Sequence, residues 1–229
     1  MYELYIANKN YSSWSLRPWV LMRERSIPFD ERPLFFGEEA KWAAFREVSP
    51  SGLVPCLVDG GTVVWESLAI AEYLAERHDG VWPADPAARA WARCAAAEMH
   101  AGFGTLRSIC SMSVGIRVRL HAVAPPLRRD IDRLDILWRD GLGRFGGPFL
   151  AGPSFTAVDA FFAPVAFRIQ GYGLRLGETA MAYAARLLAL PAMRDWQAAA
   201  LRETSRDAGH EAEPLNAGTL VEDRRAQPA

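Results

Sequence analysis

Hydrophobic and polar positions fall into two regimes along the 229 residues of the chain. In the first, short apolar runs alternate with turns. Leu4-Tyr5-Ile6-Ala7 reads as a strand, and Asn8-Lys9-Asn10 as a polar turn after it. Leu16, Trp19, Val20 and Arg23 then follow the i, i+3, i+4, i+7 spacing of one helical face. After Ile27-Pro28, Phe29 to Phe36 reads as a second, less regular strand, which completes a strand-helix-strand unit with a parallel pair and a right-handed crossover. Glu38 to Phe45 predicts a short helix bearing Trp42 and Phe45, closed by the loop signal Ser49-Pro50-Ser51-Gly52. Leu53 to Trp65 reads as a hairpin, because Asp59-Gly60-Gly61 supplies the left-handed conformations of a tight turn. Pro55 belongs at a strand start, since it cannot donate to a ladder, and a conformationally special Val54-Pro55 bond is expected there. Glu66-Ser67 opens the helix through Arg77. A βαβ unit followed by a ββα unit makes a small mixed sheet with helices.

The second regime starts beyond Asp79 to Pro86, a linker rich in Asp, Gly and Pro. From Ala87 strand signals give way to helical periodicity. One long helix is expected to about Cys110, with Trp91, Cys94, Glu98, Ala101 and Thr105 on one face; another opens at Pro125-Pro126 and ends at Gly146-Gly147-Pro148. Thr156 and Asp159 have capping-box spacing before a mostly apolar, core-forming helix. Further helices are expected over about 178–190 and 192–203, and the tail from Ser205 has no sustained periodicity. The resulting division is an α/β domain over 1–79, a linker over 80–86, an all-helical domain over 87–204 and a tail over 205–229.

Composition narrows the function classes. Hydrophobic residues make up 50% and charged residues 23%, with a formal net charge of -1. Interspersed charges of both signs give no long-range pull toward nucleic acid or anionic membrane. No basic start precedes a long apolar run and no stretch suits a bilayer span, so a cytoplasmic protein is expected. Cys56, Cys94 and Cys110 form neither a CxxC pair nor a disulfide framework, which fits a reducing compartment. His78, His100, His121 and His210 have no ligand-like spacing, so no metal site is proposed.

The candidate chemistry lies in Tyr11-Ser12-Ser13-Trp14-Ser15-Leu16-Arg17-Pro18-Trp19. Proline is tolerated in a first helical turn, so Pro18 puts the N-cap near Trp14 or Ser15 and leaves Ser12 and Ser13 just ahead of the helix. A hydroxyl beside unpaired N–H groups and the positive end of a helix suits an anion such as a thiolate. Simple capping or turn formation is the competing role.

The βαβ-ββα half, Val54-Pro55, Glu66-Ser67 and the helical second half together resemble the glutathione transferases. Ser12-Ser13-Trp14-Ser15-Leu16-Arg17 looks most like zeta-type and related bacterial members, as do Glu98-Met99-His100-Ala101-Gly102-Phe103 and Leu106-Arg107. The resemblance implies a thioredoxin-like N-terminal domain, glutathione as co-substrate, and Ser12 (or its neighbour Ser13) as the hydroxyl that contacts the sulfur. A serine hydroxyl is too weak a base for a thiol, but donating to the thiolate lowers the thiol pKa. Further implications are a cis Val54-Pro55 bond with the Val54 backbone pairing the glutathione peptide, and Glu66 with Ser67 holding the γ-glutamyl end. Trp14, His100, Phe103 and Arg107 are candidates to line an apolar electrophile pocket between the domains. Two departures stand out: Trp14 replaces the zeta-type cysteine, and Leu53 replaces a polar residue of several relatives. Cys56 reads as a small core residue. The expected function is a glutathione transferase acting on small, largely apolar electrophiles in detoxification, as a homodimer. A maleylacetoacetate-type cis/trans isomerase and a non-catalytic binding protein of the same fold are the alternatives.

Overall fold

The computed structural model describes residues 1–37 and 39–227, and at 39–42 the backbone alone. Of the expected short helix, Glu38 and the Trp42 side chain lie outside the described residues. Strand β1 (Tyr2–Ile6) leads through helix α1 (Ser13–Glu24) to β2 (Phe29–Pro33), which pairs with β1 in parallel, Tyr2 opposite Phe29. Helix α2 (Glu39–Val48) precedes the hairpin of β3 (Cys56–Asp59) and β4 (Thr62–Trp65), and α3 (Ser67–Ala75) follows. The sheet order is β2-β1-β3-β4, with β3 antiparallel to both neighbours. This is the small mixed sheet with helices that the run of strands and turns predicts, and the thioredoxin-like domain that the resemblance implies.

Helix α1 is the pivot of the molecule. It packs on α3 and, from the second half of the chain, on α7 (Ala157–Tyr172) and α9 (Pro191–Arg202). A helix covered on several sides needs no single apolar stripe. Leu16, Trp19, Val20, Leu21 and Met22 are all buried, whereas Arg23, placed by its spacing on the inner face, is exposed.

The second half comprises α4 (Pro86–Ala101), α5 (Gly104–Ile109), β5 (Ile116–Leu120), α6 (Pro125–Phe145), α7, α8 (Glu178–Ala189), α9, α10 (Ala208–Ala217) and β6 (Gly218–Asp223). The single long helix expected to Cys110 breaks at Gly102-Phe103. A Cβ on Gly102 would sit 2.7 Å from the Glu98 carbonyl oxygen, and Phe103 adopts a left-handed φ of 54°. That close approach admits only glycine, and it turns α5 away from the α4 axis. Helix α7 is buried along almost its whole length and opens with the expected capping box. The buried Asp159 carboxylate accepts hydrogen bonds from the backbone N–H groups of Thr156 and Leu150, both at 3.0 Å, and from the Tyr183 hydroxyl at 2.7 Å.

The tail differs from its expectation. Residues 208–223 form α10 and β6, and β6 pairs antiparallel with β5, Leu120 opposite Gly218. The helical domain thus carries a two-stranded ribbon. Ile116-Arg117-Val118-Arg119-Leu120 does alternate with the period of a strand, with Ile116 and Val118 buried. No helix among the described residues is long and apolar enough to cross a membrane.

Candidate active site

Behind β1, the N–H groups of Tyr11 and Ser12 both donate to the Asn8 carbonyl, at 3.1 and 2.9 Å, and close a turn. Helix α1 then begins at Ser13 with Ser12 as its N-cap: the Ser12 Oγ accepts from the Ser15 N–H at 3.3 Å. The expected cap at Trp14 or Ser15 is therefore two or three residues too late. Pro18 lies inside the helix, where the N–H it lacks is the one that would have reached the Trp14 carbonyl. Ser12 is a cap after all, and more than a cap. Its hydroxyl lies 2.7 Å from the Ser15 Oγ, which in turn accepts from the Ala7 N–H at 3.1 Å. Ser15, unremarked in the sequence, thus underpins Ser12.

Ser12 and Ser13 face different cavities. The first, about 320 Å³, is lined by Ser12, Val54, Leu53 and Glu66, with Tyr11, Trp14, Phe36, Phe45 and His210 around them. The Val54-Pro55 bond is cis. Of the residues expected at this end, Pro55 and Ser67 lie beneath the lining. Ser67 is 1% exposed, its hydroxyl has no hydrogen-bond partner among the described residues, and it opens α3, whose first-turn N–H groups have no intrahelical acceptors. Glu66 has a positive φ of 79°, and its carboxylate is 3.2 Å from the His100 Nε2. Leu53 stands at the rim, 60% exposed.

The second cavity, about 420 Å³, adjoins the first across Tyr11, Trp14 and His210. Ser13, Arg107, Arg168, Ser111 and Glu213 contribute to its wall, so it is far more polar than the apolar pocket the sequence suggests. Trp14 and Arg107 lie where they were expected. His100 and Phe103 do not: His100 sits behind Trp14, ring centroids 5.4 Å apart, and Phe103 turns into the core at the break before α5. The Arg107 Nη1 donates to the His100 carbonyl at 3.1 Å.

Three guanidinium groups gather here. Arg17 is buried between the rings of Trp14 and Phe161, 4.0 and 4.9 Å from their centroids, and Arg107 lies 5.2 Å from the Trp14 ring centroid. Burial, reinforced by the positive charges of Arg168 and Arg107, lowers the Arg17 pKa to about 9. Burial likewise lowers that of Arg168 to about 10, and its Nη2 donates to the Ser13 Oγ at 3.5 Å. Arg168 lies in the apolar stretch of α7, where an arginine is out of place unless something requires it.

The tail supplies the shared wall. His210 on α10 stacks against Tyr11 and Phe36, ring centroids 5.1 and 4.6 Å away, and its Nδ1 is 2.7 Å from the Asp207 carboxylate. The Tyr11 hydroxyl donates to Glu211, which Arg225 grips with both terminal nitrogens while also reaching Asp223. Nothing local to 205–229 announces this, because its partners lie some 200 residues earlier.

Residues 11–77 match the family described as glutathione S-transferase, N-terminal domain. A probable maleylacetoacetate isomerase of Vibrio cholerae is 28% identical over 79% of this chain and 89% of its own length. The chain is thus similar to glutathione S-transferases, with the family's N-terminal domain matched over residues 11–77. A probable maleylacetoacetate isomerase of Caenorhabditis elegans is 33% identical over 46% of this chain; the match spans only 50% of that relative's length. Among solved structures, a glutathione transferase homolog from Burkholderia with bound glutathione superposes with a TM-score of 0.66 at 23% identity, covering 87% of this chain and 97% of that one. That likeness shows the fold. Eight of the nine residues lining the first cavity lie in the segment matching the glutathione S-transferase N-terminal domain, His210 being the exception.

Proposed function

We propose that the chain is a glutathione-dependent transferase in which the first cavity holds glutathione and the second the electrophile. One observation carries this reading: two cavities share Tyr11, Trp14 and His210, and the consecutive hydroxyls of Ser12 and Ser13 face one each. In this reading Ser12 donates to the glutathione sulfur. Two hydroxyls 2.7 Å apart can exchange donor and acceptor roles, so Ser15 can donate to Ser12 and release the Ser12 hydrogen for the sulfur. The thiolate so stabilised attacks an electrophilic carbon; a carbon–sulfur bond forms and the leaving group departs with its electron pair. Val54 would pair with the glutathione peptide, a role supported by its backbone lying, among the described residues, outside every strand ladder. The buried Ser67 hydroxyl, unpartnered among the described residues, and the first turn of α3 suit the γ-glutamyl carboxylate, and Glu66 suits the ammonium.

Calorimetry with glutathione and turnover of a chloronitrobenzene test the reading. Binding with release of chloride is the expected result; no binding at millimolar glutathione leaves a non-catalytic protein of this fold. A second reading, glutathione-dependent cis/trans isomerisation, is favoured by the two relatives named as probable maleylacetoacetate isomerases. In it the thiolate adds and later leaves, and the assay is isomer interconversion without net glutathione consumption. The proposal includes a homodimer, tested by sedimentation, and a reducing cytoplasmic setting, consistent with three unpaired cysteines, two of them buried.

A further inference from the structure

Resting on the transferase reading, we propose that His210, oriented by Asp207, is the base that takes the thiol proton of bound glutathione. Ser12 stabilises a thiolate by donating to it, and a hydroxyl used in that way does not hold the proton that the thiol must lose. Among the described residues lining the first cavity, Tyr11, Glu66 and His210 can titrate. Tyr11 stays protonated: burial, and the hydrogen bond its hydroxyl donates to Glu211, push its pKa well above the ordinary tyrosine value. Glu66 is engaged with His100, and a carboxylate, titrating ordinarily near about 4.3, is too weak a base to hold a thiol proton in neutral solution. Histidine is the side chain whose ordinary titration straddles neutrality.

The ring is held as such a base needs to be. Asp207 caps α10, its carboxylate accepting from the His210 backbone N–H at 3.1 Å, and the same oxygen lies 2.7 Å from the ring Nδ1. Burial pushes the Asp207 pKa up, but the hydrogen bonds from His210 outweigh it and hold the group below its ordinary value, so the carboxylate only accepts. Nδ1 therefore carries the hydrogen, and the lone pair of the neutral ring sits on Nε2. Tyr11 and Phe36 stack on the ring at interplanar angles of 18° and 21°, which fixes its plane. Nε2 makes no hydrogen bond among the described residues, and the side chain is 30% exposed. Among the described residues no other carboxylate pairs with the ring: Glu66 lies across the first cavity, Glu213 borders the second with Arg107 and Arg168, and Glu211 is held by Arg225. The sulfur that Ser12 addresses lies in the cavity that this ring walls. There the S–H bond breaks, its electron pair stays on sulfur, and the proton bonds to Nε2. The imidazolium, steadied by Asp207, stands beside the thiolate and passes the proton to water through its exposed edge after the sulfur has attacked.

Glutathione binding to the full chain, in weak buffer between about pH 7 and 8, is followed by thiolate absorbance and by a pH indicator at once. In the unmodified protein the thiolate is expected to form while its proton stays on the protein. In His210→Phe, which keeps an aromatic ring in the stack, each thiolate formed should release about one proton to solvent. Asp207→Asn still caps the helix and should release an intermediate amount. In turnover of 1-chloro-2,4-dinitrobenzene, His210→Phe lowers kcat/KM about a hundredfold near neutrality and recovers toward the unmodified rate near about pH 9, where a thiol ionises unaided. A ring that only closed the wall would give a loss that does not change with pH. His210→Gln, unable to take the proton, carries the same expectations should His210→Phe fail to fold. Proton release that matches thiolate formation in the unmodified protein overturns the proposal, as does a proton retained by the His210 variants or a loss of rate constant with pH. Glutathione that fails to bind overturns the transferase reading and the base with it. Glutathione that binds and ionises with its proton released leaves that reading standing and removes the base alone.

Discussion

Replacing Ser12 by alanine separates its two roles, because each appears in a different measurement. As a cap, Ser12 accepts from the Ser15 N–H at 3.3 Å, and losing it costs about 1 kcal/mol of stability. In its proposed role as a donor to a thiolate, it would make a charge-assisted hydrogen bond worth about 1.5–3 kcal/mol. At about 1.4 kcal/mol per pKa unit, its loss raises the pKa of bound glutathione by about 1–2 units, toward the free thiol value. The assay is the ultraviolet thiolate absorbance of the complex, titrated against pH. Ser15→Ala should shift the same titration by less, since it removes the hydroxyl 2.7 Å behind the donor and not the donor itself. Ser13→Ala should leave it alone, because Ser13 faces the other cavity. A Ser12→Ala complex that titrates like the unmodified one, or a shift produced by Ser13→Ala instead, refutes the assignment.

Other outcomes follow from contacts away from the sulfur. Burial raises the Asp159 pKa to about 6, above its unfolded value, so the folded state holds that proton more tightly and loses stability as pH rises from about 4 to 6, by about 3 kcal/mol at most. Asp159→Asn should remove that slope in urea unfolding, while costing about 1–3 kcal/mol at neutral pH by setting an amide donor against buried N–H and O–H donors. Arg225→Met frees Glu211 and Asp223 together; the expected results are a severalfold higher glutathione KM and faster proteolysis within 205–227. A maleimide should label Cys94 rapidly and leave Cys56 and Cys110 protected in the native protein, since both are buried and burial raises both thiol pKa values.

Local pattern carried most of the architecture. The short apolar run of β1, the turn at Asp59-Gly60-Gly61 and the Thr156/Asp159 spacing each report on neighbours in sequence, and the corresponding elements form. The errors arise where tertiary contacts decide. Pro18 is an unreliable marker of the helix start because α1, enclosed by α3, α7 and α9, draws its stability from packing and tolerates a missing hydrogen bond. Phe103 and Arg107 share a face only on a continuous helix, and the approach of Gly102 to the Glu98 carbonyl ends that helix. Of the residues that line the two cavities, Val54, Glu66 and Arg107 were within reach because family motifs mark them, and Trp14 because it follows the two serines. His210 and Arg168 were not, since each meets the site across a large sequence separation. For Arg168 the one local signal was a lone cation amid Phe161, Phe162, Val165, Phe167 and Ile169.

The wall that His210 adds has a consequence for the order of synthesis. A ribosome delivers the sheet, both serines and the cis Val54-Pro55 segment within the first third of the chain, yet the side chain dividing the two cavities emerges only with residue 210 and its clasp only with residue 225. A nascent chain can hold a folded thioredoxin-like domain long before it holds a closed site. The proposed glutathione site is then a property of the finished protein, and glutathione cannot serve as a scaffold for the growing one.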